Sequence, residues 1–139
     1  MQKNNVSLKI YLPQIPNAEL VAIMGLEQMA GYLGIPEDKL GEVRILVTEA
    51  IINAFEHAGH NNPNVRVEFK MSKEKLVIFV RDYGKGFDTS KIDEPLIQDK
   101  IHSAHKRGWG MKLMKTIADD FVIESNAKGT KITLTKNLI

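Results

Sequence analysis

The sequence predicts an α+β fold in which helices cover one face of a mixed, mainly antiparallel β-sheet. Apolar residues alternate with polar ones at 6–12 and again at 65–71, which is the pattern of half-buried strands. Apolar residues recur at helical spacing over 17–33 and over 43–58. The resulting order, β-α-α-β-β-loop-α-β-β, contains hairpins instead of strict β-α-β alternation, so a mixed sheet is expected.

Local signals bound these elements. Pro13 ends the first strand, and Asn17 is predicted to cap a helix that runs to Gly34. Pro36 suits the first turn of a second helix, the best-defined element of the sequence. Strands are predicted at 65–71 and 76–82, joined by a hairpin at 72–74, and at 121–125 and 131–135 after a helix that opens at Gly108 and Gly110.

Length and composition restrict the function. The 139 residues allow a single domain, 1–139, and an absence of cysteine excludes disulfides and thiolate metal sites and suits a cytoplasmic protein. A net charge of +2 gives no support to direct nucleic-acid binding. The longest purely apolar stretch runs only from Leu76 to Val80, so no membrane segment is expected.

The second helix carries a carboxylate, an amide and an imidazole at i, i+4 and i+8. Glu49, Asn53 and His57 therefore share one side of the helix, beside its apolar stripe. An amide oxygen is a hard ligand for Mg²⁺, and a carboxylate can orient or deprotonate a hydroxyl. The alternative is an ordinary solvated helix face.

A second motif follows the strand that ends at Asp82. Gly84 and Gly86 come directly after it, and glycines let a backbone approach a flat ring closely. The carboxylate could accept a hydrogen bond from an exocyclic amino group such as that of adenine. The alternative is a simple turn. The next residues, about 87–107, have no sustained periodicity, and a loop of this length in a small domain suggests an active-site lid.

Two further motifs complete the set. Arg107, Gly108 and Gly110 stand at the start of a helix, where unpaired amides and the helix dipole favour phosphate. Gly129 and Thr130 open the last strand, where the hydroxyl could help Asp82 to fix a base. A flexible loop end and a hairpin turn are the respective alternatives. Neither a Rossmann fingerprint nor a P-loop is present.

The four motifs occur in an order that resembles the Bergerat-fold ATPases shared by gyrase, Hsp90, MutL and sensor histidine kinases. They are E-x-x-x-N-x-x-x-H, D-x-G-x-G, G-x-G and G-T, and they cover about 42–134. Within that superfamily the chain is most similar to the bacterial anti-sigma factor serine kinases. The sequence around Thr48-Glu49-Ala50 and Asn53-Ala54 supports this closer resemblance.

The resemblance implies a two-layer α/β sandwich with ATP beneath the lid. Asn53 would bind Mg²⁺, and Glu49 would act as the base toward a substrate serine. The base pocket would be formed by Asp82, Gly84, Gly86 and Thr130. His57, on the same face of the second helix as Asn53, would also contribute to nucleotide binding. The phosphates would meet Gly108, Gly110 and Arg107.

The implied function is an ATP-dependent serine-protein kinase and anti-sigma factor. It would phosphorylate a small anti-anti-sigma partner and sequester a sigma factor, as a homodimer. A non-catalytic ATP-binding module would share the motifs. So would a histidine-kinase catalytic domain, but that class needs a dimerisation helix pair with a phosphorylatable histidine, and no such pair is expected from the sequence.

Overall fold

A computed structural model describes residues 5–59, 64–87 and 107–139, with side chains in the last segment described from Trp109 onward. Five strands and three α-helices are found in these residues. In chain order they are β1 (Asn5–Leu12), α1 (Ala18–Leu33), α2 (Leu40–His57), β2 (Val65–Ser72), β3 (Lys75–Asp82), α3 (Arg107–Ile117), β4 (Asp120–Asn126) and β5 (Gly129–Asn137).

The strands form one sheet in the order β1-β2-β3-β5-β4. Each of its four pairings is antiparallel, so the expected mixed, mainly antiparallel sheet is antiparallel throughout its described strands. The predicted fold class is confirmed. The predicted hairpin between β2 and β3 is also present, with Met71 opposite Leu76.

Strand alternation divides the sheet into two faces. The inward positions of β2 and β3 are fully buried, and the helices pack over them. The helix α2 lies between α1 and α3 and contacts the three central strands, so it is buried along most of its length. The buried inward residues of β2 and β3 are Val65, Val67, Phe69, Met71, Leu76, Ile78, Val80 and Asp82.

Asn17 is the N-cap residue of α1, as predicted, although it has a positive φ of 67° and makes no capping hydrogen bond through its side chain. The predicted start of the second helix is wrong. Pro36 precedes a short 3₁₀ turn at Glu37–Lys39, and α2 begins only at Leu40. The tighter turn lets the chain change direction after Gly34 before the longer helix begins.

The predicted lid begins at Phe87 and ends at Arg107, and its interior, 88–106, lies outside the described residues. Among the described helices, none is long and apolar enough to cross a membrane.

Two glycines of α1 predict opposite effects of the same substitution. Gly31 lies on the exposed side of α1, and an added methyl group would meet no atom within 4 Å, so Gly31→Ala should raise the free energy of unfolding by about 0.5–1 kcal/mol. Gly34 ends the helix at φ 71°, so Gly34→Ala should lower it by about 1 kcal/mol. Urea unfolding of both variants checks this. Equal effects would contradict the helix end described.

Candidate functional site

The amide of Asn53 is a polar group buried in the core of the described chain. Its side chain is only 1% exposed, within the buried face of α2 and not beside it as the sequence suggested. Neither its oxygen nor its nitrogen has a hydrogen-bond partner in the described part of the chain. A buried amide without partners costs about 1–3 kcal/mol, so an external partner for it is strongly indicated.

Glu49 and His57 lie one helical turn before and one turn after Asn53. Both are partly buried, so the predicted trio forms a line that passes from a half-exposed carboxylate through a buried amide to a half-exposed imidazole. The ring of His57 stacks on Phe87 with centroids 4.5 Å apart. This contact joins the end of α2 to the first residue of the predicted lid.

Asp82 occupies the last inward position of β3, where the hydrophobic row of that strand continues with a carboxylate. It is 1% exposed, and its Oδ1 accepts a hydrogen bond from the Gly84 N–H at 2.9 Å. In the register of β3 and β5, Thr130 lies directly opposite. The sheet therefore brings the predicted acid and hydroxyl residues together at one end of its inward face.

Burial raises the pKa of Asp82 above the ordinary aspartate value. The amide of Gly84, the imidazole of His57, the amide of Thr130 and the guanidinium of Arg81 each lower the pKa in part. Desolvation is the larger effect, because a carboxylate loses most of its hydration inside a protein. The carboxylate of Asp82 is therefore a hydrogen-bond acceptor whose burial opposes folding.

The glycines permit close contact between backbone segments. A Cβ atom on Gly84 would overlap the carbonyl oxygen of His57, and one on Gly86, at φ 79°, would overlap the carbonyl oxygen of Asn126. Gly129, at φ 135°, has the same relation to the carbonyl oxygen of Asp82. The loop after β3 is thus clamped between the end of α2 and the β4–β5 hairpin.

Ser125 belongs to this site, although the motifs did not include it. Its hydroxyl accepts the Phe87 N–H at 2.9 Å and lies 2.7 Å from the hydroxyl of Thr130. Ser125 faces Thr130 across the β4–β5 pairing. In the sequence, Ser125 lies just before the turn that leads to Gly129 and Thr130, which was the available signal. Using that signal would have required the exact register of β4 and β5.

The predicted phosphate motif opens α3. This helix begins at Arg107, includes Gly108 and Gly110 in its first turn, and packs along α2. Gly110 is buried, whereas the adjacent Trp109 is 42% exposed and lies 5.8 Å from the ammonium group of Lys112. The backbone placement agrees with the expectation, and the side chain of Arg107 lies outside the described part.

Residues 16–136 match the model of the histidine kinase-like ATPase domain. The chain belongs to this family. The match includes α2 with its unpartnered amide, the loop after β3 and the opening of α3.

Among curated proteins, the chain is similar to the serine-protein kinase RsbW of Bacillus subtilis strain 168. The two are 27% identical over 143 residues, which cover 98% of this chain and 89% of the relative. It is also similar to the anti-sigma F factor of Geobacillus stearothermophilus, with 34% identity over 103 residues that cover 71% of this chain and 70% of that protein.

Among solved structures, the chain is similar to a Mycobacterium tuberculosis protein with RsbU and RsbW domains. The TM-score is 0.69 at 20% sequence identity, over 96% of this chain and 32% of the other. This similarity supports the fold, and the chain spans about a third of that larger protein.

The residues present suit the nucleotide that the family implies. Asn53 supplies an unpartnered oxygen of the kind that Mg²⁺ accepts, and Mg²⁺ commonly needs only one or two protein ligands beside substrate phosphates. No cluster of three or more His, Cys, Asp or Glu suited to a metal occurs in the described segments, so an all-protein metal cage is not built there. Asp82 supplies an acceptor for an amino group.

Replacing Asn53 by leucine, which has the same branching, should separate stability from ligand binding. Asn53→Leu should raise the free energy of unfolding by about 1–2 kcal/mol, because a buried amide without partners is removed. Nucleotide binding should lose its dependence on Mg²⁺. Urea unfolding and calorimetry with and without Mg²⁺ measure the two effects.

The smaller Asn53→Ala variant guards against overpacking at this position. If both variants lost more than about 2 kcal/mol of stability, the amide would have a structural role and would not be available to bind a ligand.

Proposed function

We propose that this protein is an ATP-dependent serine-protein kinase that also acts as an anti-sigma factor. The unpartnered, buried amide of Asn53, one turn from Glu49 on the same helix, carries the proposal. Curated relatives named serine-protein kinase and anti-sigma F factor support it.

In the proposed site each residue has one role. Asn53 holds Mg²⁺, and Asp82 accepts a hydrogen bond from the adenine amino group, with Thr130 and the backbone of Gly84 beside it. The first turn of α3 offers its amides to phosphate oxygens. ATP, when bound, supplies the phosphoryl group that is transferred.

Glu49 is the proposed base. It is partly buried beside the buried residues of α2, so part of the residue remains accessible to a substrate hydroxyl from solvent. Phosphoryl transfer depends mainly on positioning and charge neutralisation, so a carboxylate that orients the hydroxyl and takes up its proton completes the protein's part.

The proposed substrate is a serine of a small anti-anti-sigma protein, and the competing partner is a sigma factor. Phosphorylation adds a dianion to the substrate, which disfavours a packed interface and would release that partner. A homodimer is the proposed assembly, which sedimentation of the full chain can test.

Glu49→Gln tests the kinase step. The amide keeps the shape but cannot take up a proton, so transfer to the partner serine should fall by about a hundredfold or more, while the ATP dissociation constant changes by less than about threefold. Transfer of labelled phosphate to an anti-anti-sigma protein and calorimetry measure the two quantities.

Glu56→Gln, an exposed position on the same helix, is the matched control and should keep full transfer. Equal transfer by wild type and Glu49→Gln would remove Glu49 as the base. ATP binding with no transfer by the wild type would assign the protein to non-catalytic partner switching.

The raised pKa of Asp82 gives two pH effects of known sign. A folded-state pKa above the unfolded value means that ionisation disfavours the folded state, so the contribution of this group to stability falls as pH rises from the unfolded pKa through the folded one. The free energy of unfolding of Asp82→Asn minus that of wild type should therefore be larger at pH 7 than at pH 4, because the variant lacks the ionisation that destabilises the wild type.

Nucleotide binding should show the opposite preference. Only the ionised carboxylate is purely an acceptor, so ATP affinity should fall as pH drops into the raised pKa range. At pH 7 Asp82→Asn should bind ATP about tenfold to a hundredfold more weakly. Unchanged ATP affinity in Asp82→Asn would show that this carboxylate does not contact the base.

A further inference from the structure

The face of the sheet opposite the helices carries a line of positive charge. Arg66 pairs with Arg81 across β2 and β3, and Arg81 pairs with Lys131 across β3 and β5. These three outward-facing residues, here called the cationic row, occupy adjacent strands about 4.8 Å apart. The proposed kinase chemistry uses none of them.

The cationic row is only partly neutralised within the described chain, where Glu124 lies directly opposite Lys131 across β4 and β5. The contact between Arg66 Nη2 and Glu68 Oε1 is long, at 3.5 Å. The Nε atom of Arg81 is buried without a hydrogen-bond partner in the described residues. Like charges directly opposite each other in a sheet are destabilising. The two like-charge pairs, Arg66 with Arg81 and Arg81 with Lys131, therefore indicate a surface suited to an anion.

Aromatic rings hold the cations near this position. The ammonium groups of Lys70 and Lys131 lie 5.5 Å and 5.2 Å from the ring centre of Phe79, and the Arg81 guanidinium lies 5.0 Å from that of Tyr83. Cation–π contacts of this kind restrict long side chains. A depression of about 200 Å³ lies over the region, lined by Arg66, Glu68, Lys70, Phe79, Arg81 and Lys131.

We propose that the cationic row is a docking surface for an acidic segment of a protein partner. Carboxylates on one face of an acidic helix are about 5–6 Å apart, close to the spacing between neighbouring strands of the row. Arginine also binds carboxylates through two parallel hydrogen bonds, and the row contains two arginines on neighbouring strands, Arg66 and Arg81.

The same features disfavour two other occupants. The ring of Phe79 is covered by ammonium groups, so it is not open for base stacking by a nucleic acid. Packing of two copies face to face would bring two cationic rows together. The charge pattern therefore favours an acidic peptide.

The test uses the full chain and a short, fluorescently labelled oligoglutamate peptide. Removing two charges in Arg66→Gln/Lys131→Gln should weaken peptide binding by about tenfold at low salt, and added salt should weaken wild-type binding. The matched variant Lys39→Gln/Lys73→Gln removes two exposed charges elsewhere and should bind within about twofold of wild type. Thermal unfolding confirms that both variants fold.

Several results would overturn the proposal. They are equal weakening by both double variants, no peptide binding by wild type at low salt, and tighter binding of single-stranded oligothymidylate of equal charge. Sedimentation in which only Arg66→Gln/Lys131→Gln changes the oligomeric state would assign this face to a second copy. ATP binding measured in parallel should stay unchanged, so failure here is distinguishable from failure of the kinase proposal.

Discussion

The close approach of Gly84 to the last turn of α2 is the constraint on which the site depends. Any side chain at Gly84 would overlap the carbonyl oxygen of His57, so the loop after β3 packs backbone against backbone on the helix. The same loop then places Phe87 on the imidazole of His57. Because α2 also carries Asn53 one turn earlier, this single contact fixes the amide relative to the carboxylate of Asp82 at the end of the sheet.

Two buried polar groups at the site oppose folding. Asn53 lacks partners within the described chain, and burial raises the pKa of Asp82. Their cost is offset by the apolar residues on the rest of α2 and on the inward strands, which are almost completely buried. A rigid surrounding structure can hold such groups in place, and strained or unsatisfied groups that persist in this way are characteristic of binding sites. The site and the core are therefore parts of the same packing.

Much of this arrangement could be predicted from the sequence because strand and helix periods fix which side chains share a face. Asp82 was predicted to end a strand, and helical spacing aligned Glu49 with Asn53. The burial of Asn53 could not be predicted, since it requires knowing that α2 is covered on both sides by other helices. Ser125 was missed for a similar reason, because its contact with Thr130 depends on the β4–β5 register.

Neighbouring residues in the sequence serve opposite faces of the sheet. Arg81 and Asp82 are adjacent, and so are Thr130 and Lys131, yet the acid and the hydroxyl face the helices while the two cations face outward. A shift of one residue in strand register would move every side chain to the other face. The register that places Asp82 beside Thr130 therefore also aligns Arg81 with Lys131. The proposed nucleotide site and the cationic row both depend on this one pairing of β3 with β5.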